Sequence, residues 1–136
     1  MVDEQGPPET LEVRSDDDIV RARRLARERA VTAGLRLVDQ TKLITAVSEL
    51  ARNMTRYAGG GTVTLSTLAD GRRRGVRATF SDEGPGIADI EQAMINGYTT
   101  GTGLGLGLGG AKRLVHEFDL DTEPGRGTRV TVIMWG

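Results

Sequence analysis

The sequence has no cysteine, a single histidine, few aromatic residues and no long apolar run. The absence of cysteine excludes disulfides and thiol chemistry, and one histidine cannot build a metal site alone. No segment is long and apolar enough to span a bilayer, and the acidic N-terminus is unlike a signal peptide, so we expect a cytoplasmic protein. Because only 4% of the residues are aromatic, the core must be mainly aliphatic.

The charges nearly cancel, with 18 basic and 19 acidic residues and a formal net charge of -1. This balance produces no field that would favour nucleic acid or an anionic membrane surface as a partner. The length of 136 residues corresponds to one ordinary domain. We predict a disordered acidic tail over residues 1–9, which contain two prolines, and one folded domain over residues 10–136.

Hydrophobic periodicity and turn residues predict the order of the helices and strands. Helices are predicted over residues 16–32, 38–57, 87–94 and 106–118. Strands are predicted over residues 10–14, 62–68, 75–81, 120–123 and 128–134. We therefore expect an α/β two-layer sandwich with the helices on one face of a mixed, mostly antiparallel sheet. The arginines of the first helix form either a solvated surface or a docking patch for an acidic partner.

Glycine is in excess, with 19 residues in the chain and a dense run from Gly101 to Gly110. Glycine lets the backbone approach an anion closely and adopt a positive φ. The run leads into a predicted helix, whose first N–H groups and dipole attract anions. It lacks the Gly-Lys-Ser/Thr ending of a Walker loop. The run is either a phosphate cradle or a flexible linker, and its alternating leucines favour the cradle because they need an apolar environment.

A second pattern, Asp82-Glu83-Gly84-Pro85-Gly86, follows the predicted strand over residues 75–81. A carboxylate at a strand end can accept a hydrogen bond from an exocyclic amine such as that of adenine. Gly84 and Gly86 would keep the wall beside the base free of side chains. The same residue types also form ordinary surface turns, so this pattern alone leaves both interpretations open.

A third pattern is the pair Glu49 and Asn53 on the second predicted helix. Their spacing of four places them one above the other, at the margin of the apolar stripe of that helix. Asn53 offers a neutral oxygen ligand for Mg²⁺, and Glu49 could accept the proton of an attacking hydroxyl. The alternative is an exposed polar pair with no chemical role.

Taken in chain order, these patterns resemble the motifs of the GHKL superfamily of ATPases and kinases, whose fold is the Bergerat ATP-binding sandwich. The motifs are the N box Glu49-x-x-x-Asn53, the G1 box Asp82-x-Gly84-x-Gly86, the G2 box running through Gly109 and the terminal Gly127-Thr128. The resemblance covers about residues 10–135, nearly the whole chain. It implies ATP and Mg²⁺ as cofactors, and a mobile lid over about residues 99–103.

Within that superfamily, residues 46–53, 96–100 and 105–114 are most similar to RsbT-type anti-sigma regulatory serine/threonine kinases of bacterial partner-switching systems. This similarity implies a kinase that phosphorylates STAS-domain antagonist or scaffold proteins. A PP2C-type phosphatase or a sigma factor is a further implied partner. Sigma-binding relatives carry the same boxes, so the alternative is a non-catalytic, ATP-dependent module that sequesters a sigma factor or activates a phosphatase. The motifs leave the oligomeric state and the identity of the partner open.

The resemblance also assigns roles residue by residue. Glu49 becomes the candidate general base and Asn53 the Mg²⁺ ligand. Asp82 becomes the contact to the adenine amine, while Gly84 and Gly86 line the base pocket. The other ATP-binding positions are Gly103, Leu104, Gly105, Leu106, Gly107 and Leu108 around the phosphates and Thr128 at the adenine end. The Gly-Leu repeat lets the G2 box slide by two residues, and the segment over 111–114 favours residues 105–108 as its core.

Overall fold

The computed structural model describes residues 1–87, 94 and 108–136, which form a five-stranded sheet and three helices. The strands are β1 (Val2–Val13), β2 (Gly61–Asp70), β3 (Arg73–Asp82), β4 (Glu117–Glu123) and β5 (Gly127–Trp135). The helices are α1 (Asp16–Thr32), α2 (Leu37–Ala58) and α3 (Leu108–Leu114). The strand order is β1-β2-β3-β5-β4, and every pairing among the described strands is antiparallel. The predicted α/β sandwich is confirmed, with no parallel pair in the described sheet.

Helices α1 and α2 begin and end close to the predicted residues, because local signals fix their ends. The hydroxyl of Ser15 accepts a hydrogen bond of 3.3 Å from the N–H of Asp18, which caps the start of α1. Helix α2 ends at Ala58 and is capped by Gly59, whose φ of 75° is left-handed and whose N–H donates to the carbonyl of Met54. In the described residues, no helix has both the length and the apolar character needed to cross a membrane.

The core lies between the helices and one face of the sheet. Helix α2 buries its aliphatic stripe there, whereas α1 contributes mainly alanines, whose small side chains let the two helices approach closely. Alternate residues of the central strands face this layer: Val76, Ala78 and Phe80 on β3 and Val130, Val132 and Met134 on β5. Phe80 is the only aromatic residue in the buried cluster of the described chain, in agreement with the aliphatic core expected from the composition.

Strand β1 pairs with β2 from Val2 onwards, where the sequence had predicted a disordered tail over residues 1–9. The composition was misleading because Pro7 and Pro8 fall at the one irregularity in this pairing. A proline on an edge strand or at a bulge interrupts no hydrogen bond that the ladder requires. The acidic, proline-containing segment therefore continues the sheet.

Arg29 of α1 explains why this part of β1 is held in place. Its guanidinium lies 2.8 Å from the carboxylate of Glu9 and donates to the carbonyl of Pro7 at 2.9 Å. It also donates to the hydroxyl of Thr67 on β2 at 3.1 Å. The Arg29 side chain is only 13% exposed, whereas Glu9 is 53% exposed, so the guanidinium is largely buried and its bonds hold β1 against both the helix and the sheet.

The second half of the chain contains a shorter helix and a longer strand than predicted. Helix α3 ends at Leu114 and β4 begins at Glu117, whereas the helix was predicted to reach residue 118. Phe118 and Leu120 instead lie opposite Val132 and Val130 of β5, because their alternating spacing fits a strand. Most of the predicted helix over residues 87–94 lies outside the described residues.

His116, the only histidine in the sequence, lies just before β4 and has a structural role. Its Nδ1 accepts the backbone N–H of Trp135 at 2.9 Å. The indole N–H of Trp135 donates to the carboxylate of Glu117 at 2.6 Å, and the guanidinium of Arg73 lies 4.2 Å from the ring centroid. These contacts fix the end of β5 against its neighbours.

We predict that Arg29→Ala loosens the first half of β1. The change removes three hydrogen bonds and leaves Glu9 without this ion pair, so we expect a loss of about 1–3 kcal/mol in the free energy of unfolding. Urea denaturation measures that loss, and amide hydrogen exchange should show faster exchange in residues 2–9. Arg27→Ala, an exposed position on the same helix, is the matched control. Unchanged exchange at residues 2–9 would refute the role given to Arg29.

Candidate functional site

A cleft lies between α2, the adjoining ends of β3 and β5, and the first residue of α3. It is partly open to solvent, and the space between its walls, counted together with the open solvent at its mouth, is about 500 Å³. Its walls are mainly apolar, with a few polar groups at one end, which is typical of small-molecule sites. The lining residues are Leu50, Asn53, Met54, Tyr57, Ala58, Phe80, Asp82, Pro85, Gly86, Ile87, Leu108, Thr128 and Val130.

Five of the predicted site residues meet in this cleft although they lie in separate segments of the sequence: Asn53, Asp82, Gly86, Leu108 and Thr128. Two others, Glu49 and Gly84, lie nearby but do not line it. The remaining positions are Gly103, Leu104, Gly105, Leu106 and Gly107, and they lie outside the described residues together with the predicted lid. The structure thus describes the end of the site predicted to hold adenine and leaves most of the glycine-rich run a prediction.

Asp82 is the last residue of β3 and lies opposite Thr128 of β5. Its carboxylate accepts a hydrogen bond of 2.9 Å from the N–H of Gly84. Burial raises the pKa of Asp82, while hydrogen bonds from the backbone N–H groups of Gly84 and Thr128 act in the opposite direction. The result is a partly desolvated acceptor with a fixed orientation, which suits an exocyclic amine.

The loop after Asp82 packs so tightly against the β4–β5 turn that two of its contacts exclude a side chain. Gly86 has a φ of 72°, and a Cβ there would lie 2.1 Å from the carbonyl oxygen of Glu123. Gly127 has a φ of 118°, and a Cβ there would lie 2.2 Å from the carbonyl oxygen of Asp82. The N–H of Gly125 donates to the carbonyl of Pro85 at 2.7 Å, which ties the turn to the loop.

Gly84 has a different neighbour from the one that the sequence suggested. A Cβ on Gly84 would lie 2.5 Å from the Cβ of Ala58, the last residue of α2. Of the two glycines predicted to line the base pocket, Gly86 lies in the cleft wall and Gly84 lies against the helix. Gly84 therefore sets the distance between the loop and α2, and so the width of the cleft.

The apolar walls of the cleft include residues that motif analysis did not single out. Leu50, Met54 and Tyr57 lie on α2, and Ile87 and Val130 face them from the sheet side. In the sequence, the three α2 residues read only as part of a buried stripe. The sequence does contain a signal for these cleft residues, because the apolar stripe continues to the last turn of α2, next to the polar residue Asn53. Apolar walls of this kind can pack on the faces of a purine.

Glu49 lies one helical turn before Asn53 on α2, next to the cleft but outside the residues that line it, and this position is called its rim below. Asn53 is half-buried and faces the cleft, whereas the side chain of Glu49 is 50% exposed. The guanidinium of Arg52 donates to the Glu49 carboxylate at 3.0 Å. Exposed ion pairs of this spacing stabilise a helix by only about 0.3–0.5 kcal/mol, so the carboxylate is readily released to another partner.

Comparison with known proteins matches the chain to a family of ATPases. A family model described as "Histidine kinase-, DNA gyrase B-, and HSP90-like ATPase" matches residues 38–135. The chain is 43% identical over 125 residues to the serine/threonine-protein kinase RsbT of Bacillus subtilis (strain 168), with 92% of this chain and 94% of that protein covered. The match therefore extends over nearly the full length of both sequences.

Solved structures with low sequence identity have the same fold. The crystal structure of the RsbU and RsbW domains of Rv1364c from Mycobacterium tuberculosis superposes with a TM-score of 0.66 at 20% identity. That match covers 95% of this chain and 32% of the other, so this chain spans about a third of its length. The Acinetobacter baumannii histidine kinase AdeS gives a TM-score of 0.50 at 16% identity, with 96% and 68% covered.

We predict that Gly86→Ala destabilises the protein far more than Gly125→Ala. Both glycines have a left-handed φ, so each alanine costs about 1–2 kcal/mol in backbone strain. Only position 86 adds a steric clash, which contributes roughly 1–3 kcal/mol more, since no described atom lies within 4 Å of a Cβ at Gly125. Urea denaturation of the two variants measures the difference. Equal losses would contradict the close packing of loop and turn.

We predict that Asp82→Asn weakens ATP binding without lowering stability at neutral pH. Because burial raises the pKa of Asp82 above its usual value of 3.8, the folded state holds this proton more tightly than the unfolded chain does. The resulting stability is complete below pH 3.8 and is lost as the pH rises through the raised pKa. The asparagine variant stays neutral and should not lose stability over that range.

Urea denaturation over a series of pH values tests this, with wild type and Asp82→Asn compared without nucleotide. The exposed Asp119→Asn on β4 is the control, and nucleotide titration measures ATP binding by all three proteins. A variant that binds ATP as wild type does would remove Asp82 from the site. If the stability of Asp82→Asn falls as the pH rises in parallel with that of the wild type, burial of the Asp82 carboxylate is not the cause of the pH dependence.

Proposed function

The chain belongs to the family of histidine kinase-, DNA gyrase B-, and HSP90-like ATPases, and from this premise we propose a serine/threonine protein kinase of a bacterial partner-switching system. The full-length similarity to the Bacillus subtilis kinase supports the activity. The observation that carries the proposal is the arrangement of Asp82 and Thr128 at one end of the cleft, Asn53 in its wall and Glu49 at its solvent-exposed rim.

In this proposal the adenine of ATP enters the apolar part of the cleft. Its 6-amino group donates to Asp82, and the ring packs between the α2 wall and the sheet side of the cleft. Leu108, the first residue of α3, lies in the cleft and marks the direction of the phosphates. The backbone of residues 103–108 would then hold them, as the motif implies.

The side chain of Asn53 fits a magnesium ligand, because it presents an amide in the wall of the cleft without adding charge. Mg²⁺ would neutralise the negative charge of the phosphates. In the transfer itself, the oxygen of a serine or threonine hydroxyl bonds to the γ-phosphorus, and the bond from that phosphorus to the β-phosphate oxygen breaks. Glu49 takes the hydroxyl proton, and ADP leaves.

The exposure of Glu49 favours a protein as the acceptor. A base at the rim can be reached by a hydroxyl on a bulky partner, whereas a base deep in the cleft could not. We propose STAS-domain proteins of the cytoplasm as substrates, with a PP2C-type phosphatase as a further partner. A non-catalytic module that sequesters a sigma factor is less well supported, because the full-length relative is a kinase and a candidate base is in place.

We predict that Glu49→Ala abolishes phosphoryl transfer but leaves ATP binding mostly intact. Loss of a general base typically lowers the rate roughly 100- to 10,000-fold. Transfer from radiolabelled ATP to a STAS protein measures the rate, and a nucleotide titration measures the binding. Glu28→Ala, which removes an exposed carboxylate from α1, is the control. Undiminished transfer by Glu49→Ala would exclude this residue as the base.

The activity itself is tested by incubating the wild-type protein with Mg²⁺-ATP and candidate STAS proteins, followed by phosphosite mass spectrometry. Phosphoserine or phosphothreonine on a STAS protein supports the kinase. ATP binding with no phosphorylated partner, together with a sigma factor held in a stable complex, would support the binding module instead.

A further inference from the structure

Thr122 of β4 lies behind the adenine end of the cleft, where its hydroxyl has three polar neighbours. The backbone N–H of Ile87 donates to its Oγ1 at 3.0 Å. The carbonyl oxygen of Gly127 lies 3.1 Å away, and the hydroxyl oxygen of Thr128 lies 2.8 Å away. Thr122 does not line the cleft, but two of these neighbours, Ile87 and Thr128, do.

The direction of each hydrogen bond in this cluster follows from which groups can donate and which can only accept. A hydroxyl has one proton and two lone pairs. The N–H of Ile87 can only donate and the carbonyl of Gly127 can only accept, so the Thr122 proton points at Gly127. All three contacts are then hydrogen bonds only if the Thr128 hydroxyl donates to Thr122. The reverse direction would leave the Gly127 contact without a proton.

These hydrogen-bond directions decide whether the Thr128 hydroxyl acts as a donor or as an acceptor toward a ligand. With its proton committed to Thr122, the Thr128 hydroxyl keeps only lone pairs for the cleft. Asp82 lies opposite Thr128 in the strand register and is also an acceptor. The same end of the cleft therefore carries two acceptors on adjacent strands. A purine with a 6-amino group has two N–H donors to offer them, directly or through water, whereas a 6-oxo purine places an acceptor there.

We propose that Thr122 is a positioning residue that makes the site select 6-amino over 6-oxo purine nucleotides, by fixing the direction of the Thr128 hydroxyl. The inference rests on the proposed nucleotide site and deepens it. Without the Thr122 hydroxyl, the Thr128 hydroxyl can turn and donate into the cleft. A 6-oxo group would then gain a donor, while a 6-amino group would lose an acceptor.

The test compares ATP with inosine triphosphate, which has an oxygen in place of the 6-amino group and a proton on N1, in binding titrations without a protein substrate. We expect Thr122→Val, which replaces the hydroxyl with a methyl of similar size, to weaken ATP binding and to lower the preference for ATP over inosine triphosphate. A fall in that preference of roughly three- to tenfold corresponds to one neutral hydrogen bond. Thr122→Ser keeps the hydroxyl and should retain the wild-type preference.

Two further variants separate positioning from structural support. Thr64→Val removes a matched cross-strand bond, the 2.8 Å contact between Thr10 and Thr64 on the far side of the sheet, and should leave the preference unchanged. In a Thr128→Val background, Thr122→Val should cause no further change in preference, because the hydroxyl that it directs is absent. Thermal unfolding confirms that each variant is folded.

Three outcomes would overturn the inference: equal weakening of both nucleotides by Thr122→Val, failure of Thr122→Ser to restore the preference, and an undiminished effect of Thr122→Val in the Thr128→Val background. A wild-type protein that binds neither nucleotide would instead refute the nucleotide site itself. The two failures are thus distinguished by the wild-type titration alone.

Discussion

Burial of the aliphatic stripe of α2 against the sheet is the interaction on which the rest of the structure depends, because it fixes the rotation of the helix. Leu43, Val47 and Leu50 are almost fully buried, and burial of each such side chain contributes roughly 1.5–3 kcal/mol. Successive residues are rotated by about 100°, so turning α2 by one position would expose part of this stripe. With the rotation fixed, Asn53 must face the cleft and Glu49 must lie at its rim.

The end of the cleft that contains Asp82 and Thr128 is built mainly from backbone contacts, which explains why glycines dominate it. Side chains at Gly84, Gly86 or Gly127 would collide with the helix, the turn or the end of β3. These close approaches bring Asp82 next to Thr128 and partly desolvate its carboxylate, which raises its pKa. The protein thus tolerates an unfavourable charge there in the absence of ligand, and a donor that binds Asp82 offsets that cost.

The sequence predicted the elements whose signals are local and missed those that depend on distant residues. The ends of α1 and α2 follow from caps and periodicity, and the resemblance to the ATPase motifs implied that Asn53, Asp82 and Thr128 contribute to one site, where the structure places all three in the same cleft. The first half of β1 is held in place by Arg29, which lies on helix α1. Because the composition of β1 does not reveal this distant contact, it suggested a disordered tail. Similarly, the role of Thr122 requires three partners that are brought together only by strand pairing.

The position of Glu49 connects the fold to the kind of substrate. Among the described residues, the half-exposed carboxylate of Glu49 pairs with the equally accessible Arg52, and it is not held for a small molecule inside the cleft. Such a surface ion pair contributes about 0–1 kcal/mol, so an incoming partner can displace Arg52 at little cost. An acceptor hydroxyl on a protein surface approaches from the solvent side, where Glu49 lies. In the proposed mechanism, with Glu49 as the base, the packing that fixes α2 therefore also favours phosphoryl transfer to a protein over hydrolysis of ATP within a closed site.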